Sequence, residues 1–261
     1  MTLTAPIGLV LALSGVLPAV ALMLVVERLD AKRPEPKGLL RRVALFGGLI
    51  TLPVGLAEAG LGLVGPQDGA AHALYTAFVV AALVEEAAKA LVLYALVWRH
   101  PAFDERLDGI VYATRAGLGF AMVENVLYLW SAPESAEGFA ALFVLRAAFA
   151  VPGHAIYAGF MGYWAARRRF DGFGPGLPGG LAVAVVLHGA YDASLFLLTD
   201  VEGSLGLWTL VLMLVPFAVL VGGYRRLTAH AGEALRLDDE AHARHTGRLA
   251  HPMAAGFSLM R

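Results

Sequence analysis

Between Ala71 and Trp98 the chain reads Ala71-His-Ala-Leu-Tyr75-Thr-Ala-Phe-Val-Val80-Ala-Ala-Leu-Val-Glu85-Glu86-Ala-Ala-Lys89-Ala-Leu-Val-Leu-Tyr94-Ala-Leu-Val-Trp98. A hydrocarbon core of about 30 Å calls for roughly 20 apolar residues in a helix, and this run has that length. Its flanks are almost wholly apolar, yet Glu85, Glu86 and Lys89 stand in its middle. That pattern predicts a membrane helix carrying ionisable groups into the interior of a bundle. Six more apolar blocks surround it: Ile7–Val26, Leu39–Val64, Leu107–Trp130, Phe139–Ala166, Gly179–Leu198 and Leu205–Gly223. The expected architecture is therefore all-α, a polytopic transmembrane helix bundle of about seven spans over residues 1–223. Its chemically interesting core lies at about 71–200, and residues 224–261 form a solvated cytoplasmic tail. Gly47, Gly48 and Pro53 predict a kink or split in the second block.

Composition agrees. The 261 residues are 58% hydrophobic and 16% charged, against roughly 45–50% and about 25% in soluble domains. A net charge of -1 gives no reason to expect nucleic acid. The absence of Cys removes disulfides, thiol catalysis and thiolate metal sites. The first block lacks a basic leader, so it reads as a span rather than a cleaved signal peptide.

The basic residues set an orientation. Arg28, Lys32, Arg33, Lys37, Arg41 and Arg42 fall in the first loop, Arg99 and Arg106 in the third, Arg167, Arg168 and Arg169 in the fifth. The tail adds Arg225, Arg226, Arg236, Arg244, Arg248 and Arg261, and the second, fourth and sixth loops carry no Lys or Arg. Because basic loops stay cytoplasmic, the expected topology is N-terminus out and C-terminus in.

Three cations, Lys89, Arg115 and Arg146, remain inside blocks, with Glu58, Glu85, Glu86, Asp108, Glu124, Asp192, His154 and His188. A charge near the bilayer centre costs about 2.5–3.5 kcal/mol, so such a set is retained where it forms a site. At about 1.5 Å per residue, Glu85, Glu86, His154 and His188 reach comparable depths, and Glu124, Arg146 and Asp192 lie nearer the outer face.

Each motif also has a plainer reading. Glu85 and Lys89 stand at i,i+4 and can pair, leaving Glu86 freer to act as base or ligand. In a soluble helix that would be a surface ion pair. Ala113, Gly117 and Ala121 form a small-residue packing stripe, followed by Glu124 and Asn125, which could serve as an interfacial polar pair. Pro152 and Gly153 sit between Arg146 and His154 and can open the helix there. His188 and Asp192 share a face, so the carboxylate can fix the imidazole tautomer, and Gly189 leaves space beside the ring. Both histidines could instead be helix-packing groups.

Glutamates and histidines without cysteine suit hydrolysis by one of two routes. A zinc ion could lower the pKa of its bound water, or a glutamate could act as general base with a histidine or asparagine on the oxyanion. His-Glu-x-x-His, Gly-x-Ser-x-Gly and phosphate-loop signatures are absent.

Taken in order, Glu85-Glu86-x-x-Lys89, Gly119-Phe120-x3-Glu124-Asn125-x2-Tyr128, Arg146-x7-His154 and His188-Gly189-x-x-Asp192 resemble the PrsW family of intramembrane proteases, and Asp108-Gly109 also fits its pattern. That family is distantly similar to the CAAX-prenyl protease and bacteriocin-processing superfamily. The resemblance implies hydrolysis of single-span membrane protein substrates, such as anti-sigma factors, at the bacterial plasma membrane. It implies catalytic roles for Glu85, Glu86, His154 and His188, supported by Lys89, Glu124, Asn125, Arg146 and Asp192. A zinc ion would take Glu86, Glu124, His154 and His188 as its ligands. Two other classes compete. A proton-coupled transporter would use buried acids as a relay, but no repeated halves are evident. A non-catalytic scaffold of the same fold would keep its phenotype in Glu86→Ala.

Overall fold

The computed structural model of the chain describes residues 5–131, 135–200 and 206–247. Parts of the expected fourth and sixth loops, and Arg248 and Arg261 of the tail, lie outside these residues. Every regular element among them is helical: α1 Ala5–Leu29, α2 Lys37–Leu49, α3 Thr51–Gly62, α4 Gly69–Tyr75, α5 Val84–Leu96, α6 Arg106–Trp130, α7 Ala136–Leu145, α8 Val151–Asp171, α9 Gly176–Asp200 and α10 Leu207–His245. Two π-helical segments, Thr76–Leu83 and Arg146–Ala150, join α4 to α5 and α7 to α8.

These boundaries have local causes. Pro53 offers no N–H to the carbonyl four residues back, and the second apolar block breaks beside that position, at Ile50. Pro152 opens the fifth block in the same way, and the wider π turn lies immediately before it. Ser135 caps α7 by accepting the Gly138 N–H at 3.1 Å. Gly172, at φ 66°, ends α8 in the left-handed conformation.

Among the described residues four helical runs are long and apolar enough to cross a bilayer: Lys37–Gly62, Ala136–Asp171, Gly176–Leu198 and Leu207–His245. The runs containing Glu85, Glu86 and Lys89, or Arg115, Glu124 and Asn125, are not among them. Those helices carry the densest inward charge, while Arg146 and Asp192 ride on two of the four apolar runs. Large apolar side chains such as Leu17, Leu52, Leu56, Leu145, Trp208 and Leu214 point outward, as a lipid-facing surface requires.

Helix α6 forms the axis and is buried continuously from Leu107 to Ala121. Close approach on two sides makes this possible. A Cβ on Gly162 of α8 would lie 1.8 Å from the Gly109 carbonyl oxygen, and one on Gly119 would lie 2.2 Å from that of Ala44 in α2. The stripe legible as Ala113, Gly117 and Ala121 thus begins at Gly109, and its Gly117 lies against the backbone of His154. Packing along this seam sets how deeply α8 brings His154 into the bundle.

The segment after Gly223, expected to be solvated and helical only in part, continues α10 without interruption to His245. Leu227, Ala231, Ala234 and Leu235 recur at helical spacing and pack into the core. Asp238 accepts the backbone N–H groups of Arg106 and Leu107 at 3.0 Å each, capping the start of α6. Arg33 pairs with Glu105 at 2.5 Å and Asp239 at 2.9 Å, Arg106 with Asp171 at 2.5 Å, and Arg167 with Glu233 at 2.5 Å. The basic first, third and fifth loops and the α10 extension therefore meet at one end of the bundle. There, burial and the neighbouring Glu35 and Glu105 push the Asp30 carboxyl up to about 7.

Candidate active site

The three cations inside the bundle each find a carboxylate. Arg115 pairs with Glu27 of α1. Arg146 reaches Glu124 at 2.7 Å, and Lys89 reaches Glu85 at 3.1 Å and Glu86 at 2.7 Å. Burial without such partners would be prohibitive.

Glu85 and Glu86 open α5 directly after the π-helical segment, and both are buried, at 5% and 0% exposure. Lys89, one turn on, grips both. Its third N–H points to Nδ1 of His154 at 2.8 Å. An ammonium can only donate, so that nitrogen accepts, and the His154 proton sits on Nε2. This N–H faces Glu124 Oε2 at 2.8 Å. His188 enters from α9 with Nδ1 2.9 Å from Glu86 Oε1 and Nε2 3.2 Å from Asp192 Oδ2. Neutral imidazole donates through one nitrogen alone. One of these two contacts therefore needs a second proton or a cation between the partners.

Glu86 was expected to be the freer of the glutamates, and it is the more tightly engaged through Oε1. Its Oε2, however, is buried and has no partner. The space beside Gly189 is taken by Phe78 of the π-helical segment, since a Cβ there would lie 2.2 Å from that ring. Gly189 thus admits the neighbouring helix instead of leaving a void beside the imidazole.

One ligand atom each from Glu85, Glu86, His154 and His188 lies within 4.8 Å of the others, and all four residues are buried. Glu124 stands outside this group and Glu85 inside it. Two carboxylates and two imidazoles match the donors zinc takes, and the orphaned Glu86 Oε2 supplies an uncommitted ligand atom. The Lys89 ammonium now lies among the same donors, so an incoming cation would have to move it aside.

The surrounding motif residues have separate tasks. Phe120 lies 4.4 Å beneath the Lys89 ammonium. Asn125 accepts from Arg146 Nε at 2.7 Å and donates to the Gly15 carbonyl of α1 at 3.2 Å. The Tyr128 ring lies 3.8 Å from the Arg146 guanidinium carbon. Glu124, Asn125 and Tyr128 thus clamp Arg146 within the π turn preceding α8.

A cavity of about 450 Å³ opens beside the cluster and reaches out to Glu58 of α3 and Leu142 of α7. Tyr157, not singled out in the sequence, lines it too. Its ring stacks on His188 at 5.0 Å and 20°, and its hydroxyl is buried without a partner. No local pattern marks a tyrosine in an apolar helix as functional. Its nearest signal is Gly153, where a Cβ would lie 2.8 Å from the hydroxyl. Glu58 is an in-span acid whose facing the cavity depends on the α2–α3 break.

Residues 35–221 match the family described as "PrsW family intramembrane metalloprotease". Relatives named Protease PrsW include those of Clostridioides difficile (strain 630), 31% identical over 80% of this chain and 86% of that one, and Oceanobacillus iheyensis, 33% identical over 80% and 89%. The Bacillus subtilis (strain 168) relative is 29% identical over 80% and 88%. No solved structure matches. Together with its apolar helical runs, the match makes this a multi-pass membrane protein and an enzyme. The chain belongs to the PrsW family of intramembrane metalloproteases.

Proposed function

We propose that the chain cleaves single-span membrane proteins of the anti-sigma-factor kind, with Glu86 as general base and zinc as the metal. The observation that carries this reading is the convergence of Glu85, Glu86, His154 and His188 within 4.8 Å, with Glu85, His154 and His188 lining a cavity and Glu86 directly behind them. Glu85, His154 and His188 would hold the ion, which leaves Glu86 as the base. Bound there, zinc supplies an activated water and an electrophile for the scissile carbonyl.

The chain's own groups do the remainder. Glu86 takes the proton of the attacking water and passes it to the leaving amine nitrogen. The Tyr157 hydroxyl donates to the oxyanion as the carbonyl carbon becomes tetrahedral. Asp192 orients His188, and Glu124 with Arg146 orients His154. The apolar outer walls of the cavity, from α3 and α7, suit a helical substrate arriving from the lipid.

Seven helical passes with the N-terminus outside complete the reading. Its support is the gathering of the basic loops at one end through the Arg33, Arg106 and Arg167 ion pairs.

The test is cleavage of a single-span substrate, with zinc content measured alongside. Glu86→Gln is expected to lower kcat by about 10²–10⁴-fold, and His188→Ala to lose near-stoichiometric zinc. Unchanged cleavage in Glu86→Gln would remove this residue from the mechanism. Zinc-free, active wild type would leave the glutamate-base route.

A further inference from the structure

Buried acidic oxygens converge at a second place, at the opposite end of α6 from Glu124. Asp30 follows α1, Glu35 precedes Pro36 and α2, and Asp108 lies in the first turn of α6. One oxygen from each lies within 4.8 Å of the others. Their exposures are 3%, 9% and 0%.

The donors around them are few. Asp108 Oδ2 accepts the backbone N–H groups of Asp104 at 3.0 Å and Glu105 at 2.7 Å. Glu35 accepts the Tyr112 hydroxyl. Asp108 Oδ1 and Asp30 Oδ2 are buried and accept from no N–H or O–H donor, while the Glu35 and Asp108 carboxyls lie within hydrogen-bond reach of one another. The nearby guanidinium groups are committed elsewhere, Arg33 to Glu105 and Asp239, and Arg106 to Asp171 and Asp238. Three buried carboxylates are thus brought together with no ammonium or guanidinium in contact, an arrangement that is costly without a counter-charge.

The donor set selects the chemistry. It is all oxygen, with no imidazole or thiolate, which suits hard cations. Two oxygens on one Ca²⁺, each at 2.3–2.6 Å, are at most about 5 Å apart, a limit the observed grouping meets. The place is distinct from the Glu/His cluster: Phe120, which lies against the Lys89 ammonium at that cluster, is twelve positions along α6 from Asp108, about 18 Å of helix.

We propose that Asp30, Glu35 and Asp108 form a binding site for a hard divalent cation, Ca²⁺ or Mg²⁺, which pins the segment between α1 and α2 to the N-terminus of the central helix. The ion supplies the missing positive charge and uses the two orphaned oxygens. It ties the first loop to α6 at the point where Asp238 of α10 already caps that helix.

Thermal unfolding of the purified full-length chain, stripped with chelator and titrated with CaCl₂ or MgCl₂, tests this. The midpoint is expected to rise by about 5–10 °C at a hundred-fold excess over Kd. Asp30→Asn and Glu35→Gln each remove a repelling charge, fold in chelator, and need at least about ten-fold more cation for the same shift. His188→Ala keeps the wild-type response. A wild-type midpoint indifferent to both cations would overturn the proposal and leave a proton shared between Glu35 and Asp108. A response that survives in both acidic-site variants, or disappears in His188→Ala, would overturn it as well.

Discussion

Tyr157 and Lys89 show how much of the site lies in partners distant along the chain. The four motifs name the acids and histidines, because charges inside apolar runs stand out one by one. What they do not name is the third N–H of Lys89, which reaches His154 sixty-five residues away, or the Tyr157 hydroxyl beside His188. An apolar helix tolerates tyrosine for many reasons, so only the stack on His188 and the missing hydrogen-bond partner give it a task. As an oxyanion donor it acts chiefly in the transition state. Tyr157→Phe is therefore expected to lower kcat by about 10²-fold with KM and zinc content nearly unchanged. Steady-state kinetics on a purified substrate, beside metal analysis, separates this from a packing defect, which would alter the unfolding midpoint as well.

At the scale of elements, the helices were legible from their apolar blocks, and the second block's break from Pro53. The π turns were not, because a π turn depends on which carbonyls neighbouring helices leave free. The packing of the α10 extension against the core was not legible for another reason: its apolar stripe of Leu227, Ala231 and Ala234 is narrow, and the charges around it dominate any window average. The α6–α8 seam gives a sharp expectation. Gly162→Ala sets a methyl where the Gly109 carbonyl oxygen lies only 1.8 Å away, so the helices must separate. The cost is expected to be about 1–3 kcal/mol, measured by reversible unfolding in mild detergent. Activity should fall further than stability alone explains, because His154 rides on the same helix.

Across the whole molecule, one end is held by salt bridges and caps, and the other holds the cavity between the sparsely packed α3 and α7. Asp238 concentrates the first kind of restraint: it is buried, accepts two N–H groups of α6 and pairs with Arg106 at 2.9 Å. Asp238→Ala is expected to cost about 1–3 kcal/mol from lost capping of two α6 N–H groups and the loss of one of the two carboxylates on Arg106, which keeps Asp171. Hydrogen exchange should show faster opening of the α6 N-terminus and the α10 extension, with the Glu/His cluster less affected. Lys89 has a consequence on a different axis, that of biogenesis. Its three N–H groups already satisfy Glu85, Glu86 and His154, so the glutamates do not repel one another in the freshly inserted chain. The bundle can assemble around its own resident charge, and membrane insertion needs no metal to neutralise the glutamates.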